Sequence, residues 1–282
     1  MSRGNRVVTA GNLSTSMRDN YKEHGYYVKV GSTYRNPHYP GVRRCLFSWF
    51  TSWWLKEATN VDQTEIAVFD MACASGEVTA ALQEWWRQGL AASVQTPTEI
   101  SSSDNLPSLP IPRRSTTIVP LPGFGPETPR PWIMAADPYT MKAYEVRAGL
   151  PCAALSFRDI ACGALPDTMH RLPLQNPTRD SSGRPAPDTL TEPRERVEMV
   201  ICSFALHLVE SASELFALLW ELSTKCRWLV ILAPHKKPEI KNGWGWIKWD
   251  VNNWSEGSMQ GAQGEILHDR VHCRIYRSLN LP

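Results

Sequence analysis

The sequence contains no apolar run approaching the roughly 18 residues that a bilayer-spanning helix requires, and no apolar signal segment. We therefore expect no membrane association. An excess of one charge is also missing, because 30 Lys and Arg against 28 Asp and Glu leave a formal net charge of +2. The broad basic surface typical of nucleic-acid-binding proteins is absent, although local basic patches remain possible.

No C-x-x-C pair occurs, and the seven cysteines are odd in number and irregularly spaced, at Cys45, Cys73, Cys152, Cys162, Cys202, Cys226 and Cys273. Most of them lie in apolar surroundings, where a free cysteine behaves as a small buried hydrophobe. A zinc site, any other metal site and a disulfide framework are not expected, and a reducing compartment fits best. We predict a cytoplasmic protein and leave a nuclear or mitochondrial location open.

The length of 282 residues admits one enlarged α/β domain with extensions. We interpret residues 1–18, which hold three arginines and no acid, as a disordered tail, with a short mitochondrial presequence as the alternative. Residues 19–60 are predicted to form an N-terminal helical lid or brace. Residues 61–282 then form the main domain, with flexible Pro-rich insertions at about 91–131 and 166–196.

Short apolar runs alternate with helical patterns through this domain, which predicts parallel strands joined by helical crossovers. The predicted strands after the first are Trp132–Ala136, Ala153–Phe157, Val197–Ser203 and Trp228–Ala233. The predicted helices are Pro40 to about Ala58, Glu77–Gly89, Pro138–Leu150 and Ser211–Lys225. Trp244–Val251 and His268–Arg277 alternate polar and apolar residues, which predicts an antiparallel pair at the edge of the sheet.

The segment from Val68 to Thr79 carries the strongest functional signal, because an apolar strand meets a small-residue turn and then an acidic helix start. Such a turn lets a ligand press against bare backbone. Asp70 ends the strand, and its carboxylate suits a cationic or hydroxyl-bearing ligand better than a phosphate.

The pattern D-x-[GA]-x-G-x-G falls on Asp70, Ala72, Ala74 and Gly76, with alanine in place of the first invariant glycine. Asp137 closes the next predicted strand. With these motifs, about Glu65–Ser278 resembles the class I S-adenosylmethionine-dependent methyltransferases. The resemblance implies a three-layer, Rossmann-like α/β fold. Its mostly parallel seven-stranded sheet has the order 3-2-1-4-5-7-6, with the last strand antiparallel. It also implies S-adenosyl-L-methionine as the cofactor.

The resemblance further implies which residues bind the cofactor. The backbone of Ala72–Gly76 would cradle the amino-acid moiety, while Asp70 holds its ammonium and Asp137 its ribose hydroxyls. Asp159 would accept from the adenine amino group. The implied cofactor-binding residues are Asp70, Ala72, Cys73, Ala74, Gly76, Asp137, Pro138, Asp159, Ile160 and Ser203.

Several of these residues have simpler alternative roles. An Asp that closes a strand is often a helix cap, and Asp159 could pair with Arg158 instead of a ligand. Ala74 stands where glycine is usual, so its methyl group would narrow the approach to the ligand or demand a negative φ.

Candidates for the chemical step and for the acceptor lie outside the motif. The candidate catalytic bases are His207, after the fourth predicted strand, and His235, after the fifth. Alternatively, His207 is a histidine at a helix start bonded to backbone, and His235 belongs to a solvated basic loop. The candidate substrate-binding residues come from an aromatic-rich segment that could instead brace the sheet edge: Tyr27, Tyr34, Asn36 and His38.

The sequence leaves three possible functions. The loop after the fourth strand lacks the [DNS]-P-P-[YFW] pattern of enzymes that methylate amino groups of adenine, cytosine or glutamine. The leading hypothesis is methyl transfer to an oxygen or nitrogen of a small molecule. One alternative is an RNA or protein methyltransferase, which the basic pairs Arg43-Arg44, Arg113-Arg114 and Lys236-Lys237 keep open. The other is a non-catalytic methyltransferase-like scaffold subunit.

Overall fold

The computed structural model describes residues 35–57, 66–94, 121–125, 128–172, 189–190, 196–235 and 237–281. The proposed tail, Tyr27, Tyr34 and most of both Pro-rich insertions lie outside the described residues. The helices are α1 (Tyr39–Glu57), α2 (Glu77–Val94), α3 (Met141–Ala148), α4 (Phe157–Ala161) and α5 (Ala212–Lys225), and Leu206–Leu208 form a 3-10 helix. Among the described helices, none combines the length and apolarity needed to cross a membrane.

The strands form one large sheet of order β4-β3-β2-β1-β5-β6-β10-β7-β8, with β9 paired to β10. Their bounds are β1 (Ala67–Met71), β2 (Trp132–Ala136), β3 (Met169–Arg171), β4 (Thr189–Leu190), β5 (Val197–Ser203), β6 (Cys226–Ala233), β7 (Trp246–Asp250), β8 (Ser255–Glu256), β9 (Ile266–His268) and β10 (Val271–Ser278).

The central part of the sheet confirms the expected strand order. Strands β2, β1, β5 and β6 are parallel neighbours, and β10 lies antiparallel between β6 and β7. This arrangement is the 2-1-4-5-7-6 part of the predicted order with its antiparallel last strand. Every residue of β1 and β2 is buried, as expected for strands covered on both faces.

The prediction of a third parallel strand at Ala153–Phe157 is wrong. Only Ala153 makes a parallel bridge, to Ala136, before the chain turns into α4. Ser156 and Asp159 form a capping box that satisfies amide groups at the start of this helix, so the strand cannot continue. The position beside β2 is instead taken by β3, an antiparallel strand from the predicted second insertion.

Helices cover both faces of the sheet, which confirms the three-layer arrangement. One core lies under α1, α2 and α3, and a second lies under α4 and α5. The prediction of α1 is confirmed, and its inner face is buried as its spacing indicates, through Val42, Leu46, Trp49, Phe50 and Trp53.

The end of the first Pro-rich segment belongs to the core rather than to a flexible excursion. Phe124 is buried and stacks on Trp86 with ring centroids 4.3 Å apart. Its amide donates to the carbonyl oxygen of Gly89 at 3.0 Å. A Cβ at Gly89 would lie 2.1 Å from the Phe124 ring, which explains a glycine in the middle of α2. The helix continues past Gly89, its predicted end, to Val94.

Candidate functional site

A cleft opens where the carboxyl ends of β1, β2 and β5 meet, the edge at which open α/β sheets bind ligands. It encloses about 580 Å³, including space open to solvent. Its lining residues are Asn36, Asp70, Ala72, Cys73, Ala74, Glu77, Val78, Asp137, Tyr139, Ser203, Phe204, Ala205 and Leu208. The structure therefore brings together seven of the predicted site residues: Asn36, Asp70, Ala72, Cys73, Ala74, Asp137 and Ser203.

The turn after β1 has an unusual backbone. Ala72 and Ala74 have φ values of 54° and 49°, in the left-handed region that glycine normally occupies, and Gly76 has a φ of 84°. The prediction that an alanine at position 74 would demand a negative φ is therefore wrong. Each such alanine costs roughly 1–3 kcal/mol, so the surrounding structure must hold the turn in place.

Asp70 is buried at the floor of the cleft, with 1% of its surface exposed. Its Oδ2 accepts hydrogen bonds from the Thr79 amide at 3.2 Å and the Thr79 hydroxyl at 2.8 Å. Its Oδ1 accepts no hydrogen bond from any residue that the structure describes. Burial raises the pKa of Asp70 to about 8. The nearby charges of Glu77 and Asp137 also raise this pKa, whereas the hydrogen bonds from Thr79 lower it.

Asp137 stabilises the turn that leads into α3 and also lines the cleft. Its Oδ1 accepts from the amides of Tyr139 at 2.8 Å and Thr140 at 2.9 Å, and its Oδ2 accepts from the Ala74 amide at 3.2 Å. The N-cap position of α3 is Thr140, so Asp137 bonds the turn before this helix and is not its N-cap. Because a carboxylate offers about four lone-pair directions, it has room for one further donor from a ligand.

Glu77 is a cleft residue that the sequence reasoning missed. It is buried, and its Oε1 accepts from the Ser75 hydroxyl at 2.8 Å and from Nη1 of Arg147 at 2.9 Å. The Arg147 guanidinium also lies over the ring of Tyr39, 5.5 Å from its centroid. The only sequence signal was an acid in the first turn of a helix, because its partner lies 70 residues away along the chain.

Four predicted cofactor residues do not line this cleft. Gly76 packs against Tyr144, which a Cβ at position 76 would approach to 3.1 Å. Asp159 is exposed, and hydrogen bonds from the Ser156 hydroxyl and amide lower the pKa of its carboxyl. Ile160 is buried in the core under α4 and α5, and Pro138 only connects Asp137 to the following turn.

A second, wider cleft of about 1460 Å³ adjoins the first and shares Tyr139 and Leu208 with it. Its other lining residues come from α4, α5 and the segment between β5 and α5: Ser156, Phe157, Arg158, Ala161, Cys162, Val209, Glu210, Glu214 and Ala217. The two clefts together form one groove along the carboxyl edge of the sheet.

The two candidate bases are neighbours in space. His207 lies in the 3-10 helix after β5 and His235 follows β6, with ring centroids 5.1 Å apart in an edge-to-face arrangement. The substrate candidate His38 stacks on Phe204 of the cleft at 5.2 Å. Within the described residues, no group of three or more His, Cys, Asp or Glu side chains is placed to hold a metal ion.

Comparison with known proteins identifies a relative of this chain. An uncharacterized protein of Schizosaccharomyces pombe (strain 972) is 35% identical over 273 residues, which are 96% of this chain and 95% of the yeast protein. The chain belongs to the family of this yeast protein. No protein-family model matches the sequence.

A solved structure is similar at a greater distance. Magnesium protoporphyrin IX methyltransferase (ChlM) from Synechocystis PCC 6803, in its crystal structure with bound SAM, shares 11% sequence identity with this chain. The superposition covers 95% of this chain and 97% of that chain with a TM-score of 0.40. A likeness this distant carries no conclusion about activity.

Because Ala72 and Ala74 adopt left-handed backbone conformations, we predict that glycine at either position stabilises this turn. Ala72→Gly and Ala74→Gly should each raise the free energy of unfolding by about 1 kcal/mol, because the positive φ is no longer strained. Ala80→Gly, inside α2, is the matched control and should lower it by about 1 kcal/mol. Urea denaturation of the three variants measures this contrast, and a loss of stability in Ala74→Gly equal to that in Ala80→Gly would refute the assigned backbone.

The raised pKa of Asp70 predicts a pH-dependent stability. Between its ordinary value of 3.8 and about 8, the folded state binds a proton at Asp70 that the unfolded state does not. Wild-type stability should therefore fall, relative to Asp70→Asn, as the pH rises through this window and level off above it, with a total difference of more than about 1 kcal/mol. Denaturation from pH 5 to pH 9 measures the two curves. Parallel curves would mean that Asp70 is ionised throughout.

Proposed function

We propose that this chain is an S-adenosylmethionine-dependent methyltransferase that binds the methyl donor in the groove at the carboxyl ends of β1, β2 and β5. The observation that carries the proposal is Oδ1 of Asp70, which has no partner among the described residues and is buried in a cleft with two further carboxylates, Glu77 and Asp137. Such a cleft favours a ligand with positive charge and hydroxyl groups. The donor has both, in its sulfonium, its ammonium and its ribose.

The residues present fit this donor at two points. Asp70 would accept a hydrogen bond from the ammonium through Oδ1, and the added positive charge would favour the ionised form of the carboxyl. Asp137 would accept from one ribose hydroxyl while it keeps its three backbone bonds. The adenosine end would then extend past Tyr139 and Leu208 into the wider cleft, where Phe157 and Val209 supply apolar surface.

Asp159 departs from the role that the resemblance implies. Its carboxylate is engaged by Ser156 and lies outside the lining of both clefts. We therefore assign adenine binding to the walls of the wider cleft rather than to Asp159. The backbone of Ala72–Ala74 keeps its implied role beside the amino-acid moiety.

The bound donor supplies an electrophilic methyl group, and the protein aligns the acceptor and excludes water. His207 and His235 would accept the proton that an oxygen or nitrogen acceptor loses, because both follow strands that end at this edge. The segment before α1 narrows the cleft through Asn36, whose amide lies 3.5 Å from Oε1 of Glu77, and through the stack of His38 on Phe204. A narrowed cleft favours a small-molecule acceptor over RNA or a folded protein.

Calorimetric titration with S-adenosylhomocysteine, which cannot transfer a methyl group, tests the donor site. We expect saturable binding, weakened at least 10-fold in Asp70→Asn and Asp137→Ala, or about 1.4 kcal/mol. Asp167→Asn, an exposed carboxylate outside both clefts, is the matched control and should leave the affinity unchanged. The proposal fails if the folded protein shows no saturable binding, or if all three variants bind alike.

Transfer of a labelled methyl group into fractionated cell extract then identifies the acceptor. Label in the small-molecule fraction supports the proposed class, whereas label in RNA or protein contradicts it. Donor binding without any transfer would favour the scaffold-subunit alternative. With an acceptor identified, His207→Ala should slow turnover and spare donor affinity.

A further inference from the structure

Two cysteines meet at the carboxyl end of β2, beside the turn that lines the groove. The sulfur atoms of Cys73 and Cys152 lie 3.4 Å apart, although the two residues are 79 positions apart along the chain. Both are free cysteines, and neither thiol has a chemical role in the proposed methyl transfer. Cys73 stands between Ala72 and Ala74 and lines the groove, so a change at its sulfur acts directly on the groove wall.

The backbone holds both cysteines against the end of β2. The Cys73 amide donates to the carbonyl oxygen of Ala136 at 3.1 Å. Ala153, which follows Cys152, forms a parallel bridge to Ala136, and its amide donates to the carbonyl oxygen of Ala135 at 2.9 Å. Both cysteine side chains also pack in the core under α1, α2 and α3. Because the two residues are tied to one strand and one core, their sulfur atoms are held in contact.

The two thiols differ in exposure. Cys73 is buried, whereas Cys152 is half-buried. Burial raises the pKa of the Cys73 thiol, and the hydrogen bond with Cys152 and the charge of Asp70 raise it further. An oxidant from solvent would therefore react first at Cys152, while Cys73 remains a thiol next to the oxidised sulfur.

We propose that Cys73 and Cys152 form a redox site, at which hydrogen peroxide joins them in a reversible disulfide. In the first step the Cys152 sulfur attacks the peroxide, whose O–O bond breaks to give a sulfenic acid and one water. In the second step the Cys73 sulfur attacks the sulfenic sulfur, and the thiol proton leaves with the hydroxyl group as a second water. The two thiols lose two hydrogen atoms in all, and the peroxide is reduced to two molecules of water.

The disulfide would change the shape of the groove. A disulfide bond is about 2.05 Å long, so the two sulfur atoms must approach each other by more than about 1 Å. That movement pulls on the turn between Ala72 and Ala74, which have positive φ values, and on the 3.2 Å bond from the Ala74 amide to Asp137. Oxidation should therefore weaken binding of the methyl donor, a consequence that rests on the proposed function. A reducing compartment suits such a disulfide, because transient disulfides there serve as redox sensors.

Peptide mapping of the full chain after treatment with hydrogen peroxide tests the redox site. Free thiols are alkylated before digestion, and we expect a linked Cys73–Cys152 peptide that disappears after treatment with dithiothreitol. Cys152→Ser should abolish this peptide. Cys162→Ser, which removes an exposed cysteine, is the matched control and should retain it. Wild-type protein that yields no such peptide, or that links Cys73 to another cysteine, would overturn the proposal.

Calorimetric titration of the reduced and the oxidised protein with S-adenosylhomocysteine tests the effect on the groove. The oxidised protein should bind at least about fivefold more weakly, the lower end of the usual coupling between two sites, and dithiothreitol should restore the affinity. Equal affinity in both redox states would contradict the effect on the groove. If the reduced protein shows no saturable binding, the proposed function fails, whereas a mapped Cys73–Cys152 peptide still establishes the redox site.

Discussion

The carboxylate of Asp137 joins the two halves of the main cleft. It accepts hydrogen bonds from Ala74 in the turn after β1 and from Tyr139 and Thr140 at the start of α3. The Thr140 hydroxyl returns a bond to the carbonyl oxygen of Ala74 at 2.9 Å. This reciprocal contact fixes Ala74 in the left-handed region, and the turn places Ala72, Cys73 and Ala74 on the wall of the cleft.

The same contact bears on the two roles that the sequence alone offers for Asp137, a structural one and a ligand-binding one. A structural acid and a ligand-binding acid are usually weighed as alternatives, yet this carboxylate bonds the turn before α3 and also faces the cleft. The three backbone bonds use most of its lone pairs, so in the proposed function it would accept only one further donor from the ligand. In the proposed function Asp70 would offer the methyl donor its Oδ1, which accepts no hydrogen bond from the described residues.

Like charges and burial make the cleft costly in the absence of a ligand. The charges of Glu77 and Asp137 add to burial in raising the pKa of Asp70, and Glu77 pairs with Arg147 at 2.9 Å. A site of this kind lowers the stability of the unliganded fold, and a cationic ligand would compensate the buried negative charge.

Local signals in the sequence predicted much of the fold. The continuous apolar runs of β2 and β5 and the helical spacing of α1 predicted those elements almost to the residue. The third strand failed because the Ser156 and Asp159 capping box, a short-range helix signal, outweighed the apolar run before it. Arg147 beside Glu77 and Phe124 beneath α2 join segments far apart along the chain, so no local pattern could reveal them.

The most direct test of the account is amide hydrogen exchange with and without S-adenosylhomocysteine. If the turn after β1 and the turn before α3 bind the donor, exchange should slow in residues 72–79 and 137–140, while exchange in β7, which lines neither cleft of the groove, stays unchanged. Unchanged exchange in both groove segments under saturating ligand, or slowing confined to another part of the chain, would contradict the proposal that this groove is the methyl-donor site.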